Sequence, residues 1–199
     1  MKSLKESLFD RDLVSKDIKF TFAGLEINPM PVIYKHGKFQ FAKSWDELSY
    51  KKVFGLEEGS TYFNWDQCHN LKIDRWRVPT EREWQAILDR ELHVYVKVGK
   101  EQGYILFPDN YEKKNLDILT KSQLEEYINR GCIFLPFTGY CGGIRILTWY
   151  SQECGEYWSS TERSGVYSYF LQCSRGFAGI NNASKTNIHL PIILTKKEP

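Results

Sequence analysis

The chain has 199 residues, 42% hydrophobic and 26% charged. That is enough apolar side chain for one packed domain, or one domain with an elaborated end, and it excludes a disordered polymer. A net charge of +2 excludes the electrostatic footprint of a nucleic-acid binder, and no run approaches the roughly 20 apolar residues of a membrane span. Aromatics at 15% and 14 glycines favour a loop-rich β or α+β protein over a helical bundle.

The opening MKSLKESLFDRDLVSKD alternates charge with leucine and lacks the apolar centre of a signal peptide. A cytoplasmic location is therefore expected for the chain as written, and a cell-surface or secreted one if a leader has been removed. Ser3 and Glu6 form a capping box for a short first helix. Phe20, Phe22, Leu25 and Ile27 alternate as in a strand. PVIYKHGKFQFA predicts a hairpin turning at His36-Gly37. Ser44 and Glu47 cap a helix that Gly55 stops.

Asn64 caps a short helix in NWDQCHNLK. In WRVPTEREWQAILDREL, Thr80 and Glu83 form a capping box, and Trp84, Ile87 and Leu88 make one apolar stripe, which predicts a helix near 81–91. VYVKVGKEQGYILFP reads as a hairpin. Thr120 and Gln123 cap a helix near 121–130, with Leu119 and Leu124 at staple positions, Ile128 facing inward and Gly131 at the end. CIFLPF reads as a buried strand. YWSST, YSYFLQC and IHLPIILT read as further strands, separated by long loops rich in glycine, serine and asparagine. The fold class is α+β: two helices packed on antiparallel sheets with long irregular loops.

Taken in order, WRVPTEREW, GYILFP, GCIFLPFTGY, GEYWSSTE and YSYFLQC resemble the bacterial major paralogous domain family known as FISUMP. The likeness spans about residues 60–197. It implies a C-type-lectin-like fold, related in architecture to formylglycine-generating enzymes, and binding or adhesion more than catalysis. The terminal strand departs from the family pattern, with His189-Leu190 where a charged residue is usual. Residues 56–199 form the expected lectin-like domain. Residues 1–55 are expected as added strands and a helix on the same core.

GEYWSSTE raises a choice between a nucleophilic serine and a structural stretch. Ser159 and Ser160 lack the strand-to-helix setting of a nucleophile, and no motif supplies one of the four histidines as a base. Trp158 is expected in the core, with Ser159, Ser160 and Thr161 satisfying backbone groups where the strand leaves regular pairing. Glu81 and Glu83 read as helix-start residues rather than an acid–base pair. Arg77 reads equally as an ion-pair partner or as exposed. Asp109, Asn110 and Asp117 lack the spacing of a calcium loop. Five cysteines without C-x-x-C read as buried free thiols or one disulfide. No cofactor and no metal are expected.

Residues 139–187 hold many tyrosines, serines, glycines and asparagines and no aspartate, histidine or proline. That composition suits a binding surface more than hydrolysis. Tyr140, Arg145, Trp149, Tyr150, Arg163, Arg175, Asn181 and Asn182 are the candidate ligand-binding residues, and the partner is a protein or a glycan. These loops are expected to form one exposed face. The expected function is a non-enzymatic recognition or adhesion module. The alternatives are a formylglycine-generating-type enzyme, in which two thiols converge in a surface groove, and a structural or assembly protein using residues 1–55. The oligomeric state is left open.

Overall fold

The alternation Phe20, Phe22, Leu25, Ile27 does not run as one strand. Ala23 and Gly24 take left-handed backbone, φ 53° and 73°, and reverse the chain. Their amides donate to the Asp109 carboxylate at 2.6 and 2.8 Å, which stabilises the turn from across the molecule. Strand β1 (Leu25–Ile27) then pairs antiparallel with β15 (Thr195–Lys197), so the first and last of the described strands share a sheet. The structure is a computed structural model and describes residues 20–43, 56–142 and 153–197. The helices expected at Ser3 and at Ser44 lie outside these residues.

β2 (Val32–Lys35) and β3 (Lys38–Phe41) form the expected hairpin, with His36 and Gly37 at φ 53° and 73°, as a two-residue loop of this hand requires. Helix α1 (Trp65–Cys68) is capped by Asn64. β4 (Lys72–Ile73) and β5 (Trp76–Arg77) complete the sheet β1-β15-β5-β4. Helix α2 (Glu81–Asp89) starts at Thr80 with its capping box intact. β6 (His93–Val98), β7 (Glu101–Leu106), β8 (Ile118–Leu119), helix α3 (Lys121–Asn129) and β9 (Ile133–Pro136) follow, in a sheet ordered β8-β6-β7-β9. β8 runs parallel to β6, which corrects the all-antiparallel expectation. The link from β6 to β8 crosses over through β7 and the long 107–117 connection, and so leaves room for a parallel return.

β10 (Cys141–Gly142) pairs with β14 (Ile188–His189). Between them β11 (Cys154–Glu162), β12 (Tyr167–Ser174) and β13 (Phe177–Ser184) form a three-stranded antiparallel sheet. The stretch after YSYFLQC, expected as a loop, is β13. Its Gly, Asn, Ala and Ser residues disfavour strands by propensity, but a hairpin at Arg175-Gly176 pairs every residue from Phe177 to Ser184 with β12, and pairing overrides propensity. Conversely, IHLPIILT is not one strand. Pro191 has no N–H to give a ladder. The carbonyls of Leu190, Pro191, Ile192 and Leu194 instead accept from Phe63, Trp158, Val32 and Asn28.

The described chain is thus mixed α+β and mostly sheet. α2 buries Trp84, Ile87 and Leu88 against Leu171 and Cys173 of β12 and Leu106 and Leu135 of the sheet β8-β6-β7-β9, and Phe22, Leu25 and Ile27 join the same cluster. α3 buries Leu124 against Val96, Ile105 and Phe134, with Ile128 half-buried beside them. A third cluster gathers Val32, Phe63, Trp65, Trp158, Phe170, Leu190 and Ile192. The sheet β11-β12-β13 therefore has apolar packing on both faces.

Candidate functional site

Helix α2 crosses the C-terminal sheet from its first strand to its last. Its beginning is tied to β11: the Glu81 amide donates to Thr161 Oγ1 at 2.9 Å, and Trp84 Nε1 to the Trp158 carbonyl at 3.4 Å. Its end lies by Ala178 of β13. A bidentate pair, Arg77 to Glu83 at 2.7 and 2.5 Å, braces the helix start, so Arg77 is an ion-pair partner. Burial opposes ionisation of Glu83, but Arg77 and Thr80 outweigh it and hold the carboxyl below its ordinary range.

The stretch GEYWSSTE forms most of β11. Trp158 is fully buried and donates its indole N–H to the Phe63 carbonyl at 2.7 Å. Pairing with β12 is regular to Trp158 and shifts before Glu162. There the hydroxyls supply what the ladder does not: Ser159 Oγ donates to the Tyr169 carbonyl and accepts from the Thr161 amide, and Ser160 Oγ donates to the Pro79 carbonyl. These serines bond to backbone, as a structural role requires.

Successive strand residues face opposite sides, and this divides the sheet chemically. Tyr157, Leu171, Cys173, Ala178 and Ile180 face α2 and its core. Cys154, Glu156, Trp158, Phe170, Gln172 and Asn181 face the other way, by the register of Glu156 with Gln172 and of Phe170 with Asn181. On that side Gln172 Nε2 donates to Glu156 Oε1 at 2.9 Å, and Asn181 Nδ2 donates to Gln172 Oε1 at 3.1 Å. A polar row thus crosses all three strands, from buried Glu156 through half-buried Gln172 to exposed Asn181. Burial holds the Glu156 carboxyl above its ordinary range, against hydrogen bonds from Gln172 and Cys154.

The expected site residues do not share one face. Arg163 lies beyond the end of β11 and Arg175 in the turn after β12, so they mark opposite ends of the sheet, both exposed. Asn181 and Asn182 are neighbours on β13 and point to opposite faces, Asn182 with Tyr169 on the α2 side. Tyr140 is half-buried against the third cluster. Arg145, Trp149 and Tyr150 lie outside the described residues. What the fold does bring together is Asn181 with Gln172 and Glu156, which composition did not single out. Their signal is a polar residue at an inward position of a strand otherwise apolar there, visible only once β13 is recognised as a strand.

All five cysteines are thiols rather than members of a disulfide. Burial raises each thiol: Cys141 to about 11, Cys132 and Cys154 to about 12, with Cys68 and Cys173 also well above the ordinary range. Cys154 pairs with Ser174, and Cys173 with Gly155, so these two thiols face opposite sides of the sheet. Among the described residues no three His, Cys, Asp or Glu side chains converge as metal ligands. Comparison with protein-family models, with curated proteins and with solved structures finds no match to this chain.

Proposed function

We propose that the chain is a non-enzymatic recognition or adhesion module of C-type-lectin-like architecture, as its likeness to the FISUMP family implies, and that the C-terminal sheet carries its protein or carbohydrate ligand. The observation that carries this reading is the row Glu156–Gln172–Asn181, which ends in an exposed amide on an edge strand. Amide and carboxyl groups aligned by their neighbours present fixed donors and acceptors at low entropic cost. High-pKa thiols and backbone-bonded serines support binding over nucleophilic chemistry.

The test is binding of the purified chain to glycan and peptide arrays, with and without chelator, followed by titration of the ligand selected. Asn181→Ala is expected to weaken binding about fivefold, the loss of roughly 1 kcal/mol for one hydrogen bond. Chelator is expected to leave it unchanged. Unaltered affinity in both Asn181→Ala and Gln172→Ala, or abolition by chelator, contradicts the reading.

A further inference from the structure

β13 is an edge strand eight residues long, FAGINNAS, without a charge or a proline. Among the described residues its only strand partner is β12. Edges of this length are normally blunted by charge, proline or a bulge, because unpaired backbone groups recruit another strand. Here the Asn182 amide donates to Asn181 Oδ1 at 2.8 Å, so Asn182 points away from β12 and its N–H is capped by a neighbouring side chain. Backbone direction alternates along a strand, and Ser174 and Phe177 close the hairpin. Ala178 and Ile180 therefore present their N–H and C=O groups to the same outer edge.

Next to that edge is a cavity of about 550 Å³, lined by Gln85, Leu88, Asp89, Glu91, His93, Lys113 and Ala178. This lies within the size range of ligand pockets. It sits at the C-terminus of α2, the negative end of the helix dipole, and its lining sets two carboxylates against one ammonium. His93 Nδ1 is buried there without a hydrogen-bond partner among the described residues. Ala178 belongs both to the cavity and to the open part of the edge, and faces α2.

We propose that an extended peptide adds as a fourth strand on β13, pairing along Ala178 and Ile180, and places a lysine or arginine side chain in the cavity between Asp89, Glu91 and His93. Main-chain bonds give such a complex its affinity, and pockets for alternate side chains give its specificity. A residue paired at the Ala178 edge with its side chain on the α2 side meets this cavity, and net acidic lining selects a cation. The inference rests on the reading of the C-terminal sheet as a recognition surface, and it names the partner as a basic extended peptide.

The probe is acetyl-Thr-Val-Thr-Lys-Thr-Val-Thr-amide, compared with its Glu counterpart and with a Lys peptide N-methylated at alternate amides, by NMR titration of the intact chain. The Lys peptide is expected to shift the Ala178, Ile180 and His93 signals and to bind at least about tenfold tighter than the Glu peptide. One of the two alternate N-methylation patterns is expected to abolish binding. The double variant Asp89→Asn, Glu91→Gln is expected to remove the preference for lysine. Equal affinity for the Lys and Glu peptides overturns the proposal, as do unmoved β13 amides. So do concentration-dependent shifts of those amides in the free chain, which would assign the edge to a second copy. If an array-selected glycan shifts Asn181 and Gln172 while the Lys peptide moves nothing, this inference falls and the recognition reading stands.

Discussion

Trp158 combines full burial with an indole N–H bonded to Phe63 and an edge-on contact with Phe170, 6.1 Å between ring centroids at 88°. Trp158→Ala is expected to cost about 3–5 kcal/mol, through lost burial and a residual cavity. Ser160→Ala removes one hydrogen bond to Pro79 and is expected to cost only about 0.5–1.5 kcal/mol. Urea denaturation of the two variants checks the contrast. Glu156 gives a pH-dependent counterpart. Its folded-state pKa lies above its unfolded value of about 4.3. Folding therefore favours the protonated carboxyl; that contribution is complete below the unfolded value and is lost as pH rises through the folded one. Glu156→Gln, neutral at all pH, is expected to be more stable than the parent at pH 7, with the advantage vanishing below about pH 4. Denaturant midpoints at the two pH values decide it, and equal offsets at both contradict the assignment of burial as the cause. The role of Trp158 and its serines was legible in the sequence, because a tryptophan beside small hydroxyls with no base in reach has few other uses. Glu156 was not, since an acidic residue in a strand reads as exposed until the register puts it inside.

At the level of elements, the sequence announced what local chemistry determines. Among the described residues, the expected cap at Asn64 and the expected capping boxes at Thr80 and Thr120 form, because the reciprocal bonds need only residues three apart. Thr80→Ala is expected to cost about 1 kcal/mol, read as a lowered denaturant midpoint, whereas Thr80→Ser should recover most of it. The pairing of distant strands was less visible. β8, β10 and β14 are two residues long and leave no period to detect. β13 was hidden by its composition. Gly103 shows how close such pairing can be: a Cβ there would lie 2.4 Å from the Leu135 carbonyl oxygen and 2.6 Å from the Phe134 ring. Gly103→Ala is expected to separate β7 from β9 and destabilise by about 1–3 kcal/mol, with faster hydrogen exchange localised to those two strands.

For the molecule as a whole, the class was readable from the order of periodic segments, while the pairing of β1 with β15 was not. β1 pairs with β15, and Phe22, Leu25 and Ile27 enter the cluster that also holds α2 and β12. Removing residues 1–43 is therefore expected to abolish a sharp thermal transition of the remainder, rather than release an intact smaller domain. The division of site residues is a property of the same scale. Composition collected Arg163, Arg175, Asn181 and Asn182 into one surface, but a regular sheet puts its turns at opposite ends and its neighbouring side chains on opposite faces. The central claim is that recognition occurs at the C-terminal sheet, and the most direct measurement is hydrogen–deuterium exchange of the intact chain with and without a saturating array-selected ligand. Slowed exchange confined to β12, β13 and their turn, with residues 167–184 protected and chelator without effect, is the predicted result. Protection confined to the β2–β3 hairpin or the sheet β8-β6-β7-β9, with 167–184 unchanged, would contradict it.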